Sequence, residues 1–121
     1  MAVRRVGDEA PPAVQKTYEF VLWLVKKVEN FPKSYRFTVG DRLTTNGLDL
    51  LASLVEAAYS RRKEMLLELA SQKVNAIRYL LRLAKDLHLM SIDSYGFSAE
   101  NLDEIGRMVG GWRKASGQSG V

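Results

Sequence analysis

The hydrophobic positions of this chain repeat with a helical period in four stretches, and the clearest of them spans residues 63–89. There Leu66, Leu69, Ala70, Val74, Ile77, Leu80, Leu81, Ala84 and Leu87 recur at three- and four-residue spacing, which marks one apolar face. At roughly 100° per residue, Arg78, Arg82 and Lys85 fall on a different face, in line with Asn75 and Ser71. One side of this helix therefore requires partner helices, while another presents cations.

An earlier helix is expected over residues 12–30, opened by Pro11 and Pro12 where a missing N–H costs least. Its middle, from Tyr18 to Val25, is apolar on nearly every side, more than one buried stripe uses. It is either the central helix of a bundle or a subunit interface formed by Phe20, Leu22, Trp23 and Leu24, and the interface is preferred. The sequence FPKSYRF at 31–37 then breaks the pattern. Pro32 disfavours helix at Phe31, and the aromatics are expected to pin the connection to the end of the bundle. Thr38 is placed to cap a second helix, with Asp41 near its positive end. That helix is expected to reach Tyr59 with Val39, Leu43, Leu50, Leu51, Leu54 and Ala58 inward, Gly47 marking a close helix contact. Residues 60–63 make a tight basic corner into the third helix. After Leu89, Ser91 or Ser94 is placed to cap a fourth helix carrying Tyr95, Phe97, Leu102, Ile105, Met108, Val109 and Trp112. Gly110 and Gly111 are expected to loosen its end.

Short connections between long helices favour antiparallel neighbours. The expected architecture is all-α, an up-down-up-down antiparallel four-helix bundle over residues 11–114. A basic arm, 1–10, precedes it and a flexible tail, 115–121, follows.

At 121 residues, with 46% hydrophobic and 26% charged residues, the chain has the size and composition of one globular domain. The absence of cysteine excludes disulfides, thiolate metal sites and cysteine nucleophiles, and the single histidine, His88, excludes a multi-histidine metal site. No cofactor is called for. The net charge of +4 points weakly to an anionic partner. No secretory signal pattern and no membrane-length apolar run is visible, so a cytoplasmic location is the expectation.

The candidate contacts for phosphate, or for an acidic protein face, are the stripe Arg78, Arg82 and Lys85, the corner Arg61, Arg62 and Lys63, and Lys33 with Arg36 at the opposite end. The ordinary alternative is that these are solvated charges, tempered in the stripe by Glu68 and Asp86. Basic and aromatic residues do not interleave as in a base-stacking platform, with Tyr35 the exception to watch. Arg107 is expected to pair with Asp103 or Glu104, and Gly106 to allow close helix approach.

Several blocks carry a resemblance. FPKSYRF at 31–37, Gly40-x-Arg42, EAAYS at 56–60, YLLRLAKDL at 79–87 and LDEIGRMVGGW at 102–112 resemble, in that order, the accessory variability determinant family of diversity-generating retroelements. Proteins encoded in intervening sequences of ribosomal RNA genes share the superfamily and the Phe-Pro-Lys corner. They usually carry a proline-containing stretch in helix two where this chain has LTTNGLDLLASLVEA. The resemblance implies a barrel-like homopentamer of four-helix bundles that partners a reverse transcriptase. It also implies binding of template RNA or its DNA copy through basic surfaces, without chemistry of its own.

Two other readings stand beside it. Arg82-x5-His88 fits the loose arginine–histidine pattern of helical HEPN ribonucleases, although within one helix six residues place the two about 120° apart. His88 more simply ends the third helix, where a cation suits the dipole. The remaining alternative is an inert helical scaffold.

Overall fold

The computed structural model describes residues 11–119. The expected basic arm and the last two residues lie outside the described range. Within it the chain is helical throughout, with no strand: α1 (Pro12–Glu29), α2 (Asp41–Tyr59), α3 (Lys63–Asp86) and α4 (Ile92–Ser119). α1 packs on α2, α2 on α3, α3 on α4, and α4 back on α1, the last seam being the thinnest. Short connections and this cyclic pairing give the antiparallel four-helix bundle.

Each helix turns one stripe inward. Phe20, Val21, Leu24 and Val28 come from α1, and Leu43, Leu50, Leu54 and Ala57 from α2. Leu67, Ala70, Val74, Ile77, Leu81 and Ala84 come from α3, and Leu102, Ile105 and Val109 from α4. In α3 the stripe is rotated slightly from the expected one: Leu67 is fully buried, whereas Leu69 is 41% exposed. Leucines at both 66 and 67 and at 69 leave the choice of face open at this end, and packing against α2 and α4 decides it.

Local chemistry explains where the helices start and stop. Ser91 Oγ accepts the backbone N–H of Ser94 at 3.0 Å, so Ser91, not Ser94, caps α4. Lys63 Nζ donates to the carbonyls of Ala57 and Ser60, each at 2.7 Å, and so closes the open end of α2. α3 ends in a Schellman turn: Leu89 N–H reaches Ala84 O at 2.8 Å and His88 N–H reaches Lys85 O at 2.9 Å. His88 itself takes the left-handed position, at φ 60°, where glycine is the usual occupant.

Two expectations need correction. Thr38 does not cap a helix. Lys33–Tyr35 forms one helical turn, and Arg36–Gly40 forms a wide π-helical turn that runs straight into α2. The Thr38 hydroxyl donates instead to Tyr35 O at 3.3 Å. Gly110 and Gly111 also do not loosen the last helix, because α4 continues through them to Ser119. Each glycine costs a helix about 1 kcal/mol, and Val109 and Trp112 on either side of the pair anchor the helix to the core.

Glycines set two close approaches. A Cβ on Gly47 would lie 3.0 Å from Leu24 Cδ2, and one on Gly40 would lie 2.9 Å from Val28 Cγ1. The first confirms the close contact expected at Gly47 and fixes how α2 lies along α1. The second presses the π-turn onto the end of α1.

Candidate nucleic-acid interface

The cationic stripe of α3 exists, but its three cations face two carboxylates, Asp103 from α4 and Asp86 from α3 itself. The Arg78 guanidinium pairs with Asp103 of α4. A Cβ on Gly106 would lie 3.1 Å from Arg78 Nη2, so the glycine clears the space in which the guanidinium crosses the seam. Arg82 lies 4.0 Å from Asp86, and Lys85 lies 3.4 Å from the same carboxylate. Lys85 also sits over the Tyr95 ring, 4.8 Å from its centroid. Arg78 therefore joins two helices, and its use of Asp103 removes the partner expected for Arg107. Glu104 pairs with Lys16 of α1 at 3.2 Å instead. Arg107 has no carboxylate partner among the described residues.

The corner between α2 and α3 divides its three cations. Lys63 is committed to the end of α2, as described above. Arg61 and Arg62 are exposed and edge an open concavity of about 860 Å³ that reaches Ser116 and Gly117 at the end of α4. Glu64 and Glu68 line the same concavity, so its charge is mixed.

The opposite end of the bundle is different. Residues 26–42 hold five cations, Lys26, Lys27, Lys33, Arg36 and Arg42, against two carboxylates, Glu29 and Asp41. None of the five has a carboxylate within ion-pair distance among the described residues. The Arg36 guanidinium makes one hydrogen bond among the described residues, from Nη2 to Phe31 O at 3.4 Å. Lys33 and Arg36 belong to the residues expected from sequence; Lys26, Lys27 and Arg42 were missed, although their density in the stretch is a readable signal. The aromatics of this corner also separate. Phe31 is buried at 1% exposure and pins the connection as expected, whereas Phe37 is 64% exposed. Tyr35 is half-buried.

The wide turn bears on the exposure of Arg36. In an unbroken α-helix, seven residues make nearly two full turns, so Arg36 would share the core-facing side of Leu43. The π-turn slips the register and brings Arg36 out beside Phe37.

The four residues expected at an oligomer interface, Phe20, Leu22, Trp23 and Leu24, differ in exposure. Phe20 and Leu24 lie in the core of their own bundle and face no neighbour while it is closed. Trp23 is half-buried between Phe20, at 6.2 Å between ring centroids, and Phe97 of α4, at 5.3 Å. Only Leu22, 48% exposed, lies on the open side of α1. It continues with Tyr18 and Val25 at helical spacing. On α2, Leu48 is 49% exposed, while Leu51 and Val55 are partly buried against the core. A second outward stripe runs along α3 through Met65, Leu69, Ala76, Tyr79 and Leu83, at alternating three- and four-residue steps around Gln72. The bundle thus leaves apolar residues exposed on α1 and α2, at Tyr18, Leu22 and Leu48, and in a longer stripe along α3.

Among the described residues no group of three or more histidine, cysteine, aspartate or glutamate side chains is placed to hold a metal. No helix there is long and apolar enough to cross a membrane. Comparison with curated proteins gives no match. A family model, described as bAvd-like, matches residues 13–116, which is nearly the whole bundle. The chain therefore belongs to the bAvd-like family, the accessory variability determinant family that its sequence blocks resemble.

Proposed function

We propose that this protein is a non-enzymatic accessory subunit of a diversity-generating retroelement. It assembles into a ring of identical bundles, five by the family resemblance. The ring brings a reverse transcriptase together with its template RNA or complementary DNA, and so supports mutagenic DNA synthesis in the cytoplasm. The observation that carries this reading is the family match across residues 13–116.

The geometry supports it in two ways. The exposed apolar residues of α1 and α2 and the stripe on α3 are not equivalent. Packing one against the other in the next copy is a head-to-tail contact, which closes into a ring when the rotation allows. Separately, the cations around the α1–α2 connection lack carboxylate partners and suit phosphate contacts, whose strength falls with added salt. The ribonuclease alternative gains no support, since Arg82 leans on Asp86 and His88 holds the turn that ends α3.

Solution mass by light scattering, followed by titration with single-stranded RNA at two salt concentrations, tests the reading. A multimer that binds RNA more weakly at the higher salt is expected. A monomer that binds no RNA would sink it.

A further inference from the structure

We infer that the connection between α1 and α2 is a single-strand binding site in which the Phe37 ring stacks on an unpaired base while Lys33, Arg36 and Arg42 hold the adjoining phosphates. The inference rests on the reading that the protein handles nucleic acid, and it names the form that is bound and the place.

Three observations converge on this turn. Phe37 is 64% exposed, although Phe31, six residues earlier, is driven almost completely into the core. Lys33 lies four residues before Phe37, Arg36 next to it and Arg42 five residues after it, so the segment that carries the ring also carries three cations. Those cations have no carboxylate partner among the described residues, unlike the stripe of α3. A nucleotide joins a flat π-face to an anion, and this turn offers the complement of both. A duplex hides its base faces in the stack and presents mainly phosphates, so the ring adds nothing to duplex binding. A strand with unstacked bases uses ring and cations together, as single-strand binding proteins do.

The backbone holds the ring in place. Gly40 presses the π-turn against Val28, and the Arg36 hydrogen bond to Phe31 O ties the turn to the end of α1. Phe37 therefore projects from a braced turn and loses little freedom on stacking. Simple hydrophobic docking of a protein partner would use the same ring for its area rather than its π-face, and leucine would then serve as well.

Fluorescence anisotropy with a labelled single-stranded RNA and with a duplex of the same length separates these cases, using the assembled protein at two salt concentrations. Phe37→Ala is expected to weaken single-strand binding by roughly 5- to 150-fold with the salt slope unchanged, and to leave duplex binding alone. Phe37→Trp is expected to keep the affinity and Phe37→Leu to lose it. Light scattering on each variant shows that assembly is intact, and the position is exposed enough for all three to fold. Wild-type binding that Phe37→Ala leaves unchanged, or that Phe37→Leu fully preserves, overturns this inference and leaves the broader reading standing. A wild-type protein that binds no strand at either salt sinks the broader reading itself.

Discussion

The cationic stripe on α3 and the connection between α1 and α2 carry comparable positive charge and differ in what their cations face. Along α3, Arg78, Arg82 and Lys85 each have a carboxylate within reach, and Lys85 has an aromatic ring as well. Around the connection, five cations stand among two carboxylates and pair with neither. Periodicity shows which residues share a helical face. It does not show what another helix delivers to that face, and Asp103 arrives on Arg78 from 25 residues further along the chain. Availability for a phosphate is therefore a tertiary property, decided by the neighbour rather than by the cation.

The strongest way to break this comparison is to remove the charges at the two places. The variant Lys33→Ala, Arg36→Ala, Arg42→Ala is expected to lose single-strand RNA affinity by about tenfold or more. The slope of log affinity against log salt should fall by about 0.7 for each phosphate contact removed. Removing the α3 charges with Arg82→Ala and Lys85→Ala is expected to leave both quantities near their wild-type values. Titration of the two variants over a salt series decides it, and a larger loss from the α3 pair would reverse the comparison.

The same contrast explains what could be read from the sequence. The four helices were legible because each buries one stripe, and three- and four-residue spacing reports such stripes directly. Ser91 as a cap and Gly47 as a point of close approach were legible for local reasons of hydrogen bonding and size. The π-turn was not: FPKSYRFTVG contains no signature of a widened turn, and a proline followed by Thr38 reads equally well as a break and a cap. Outward and inward residues of α1 could not be told apart because an all-round apolar segment does not say which residues the bundle takes for itself. It took Phe20 and Leu24 and left Leu22 and Tyr18. Lys63 looked like a surface charge because its role depends on the carbonyls that α2 leaves open beside it.

If Arg78 is a strut between helices, its removal should register in stability rather than in binding. Arg78→Ala is expected to destabilise the bundle by about 0.5–1 kcal/mol, a small value because both side chains of the pair remain partly solvated. Single-strand RNA affinity should not change. Denaturant unfolding at one fixed protein concentration measures the loss, and a cycle with Asp103→Asn isolates the pair: the double variant should lose little more than either single one. An Arg78→Ala protein of unchanged stability and weakened RNA binding would return the stripe to the nucleic-acid surface.

The finest test concerns His88, which follows the stripe and belongs to the same structural account. Its φ of 60° places an L side chain in the left-handed region, and the Schellman hydrogen bonds to Lys85 and Ala84 hold it there. Glycine relieves that strain but leaves a more flexible unfolded chain, so His88→Gly is expected to raise stability by a few tenths to about 1 kcal/mol. Alanine keeps the Cβ and the strain, and His88→Ala is expected to stay near or below wild type. Both variants should bind RNA as wild type does. The midpoint of denaturation, at unchanged slope, reads the difference. Equal midpoints for glycine and alanine would show that the turn stores no backbone strain. Loss of an RNA-cleaving activity in both variants would instead make the imidazole a catalytic group and remove His88 from the structural account.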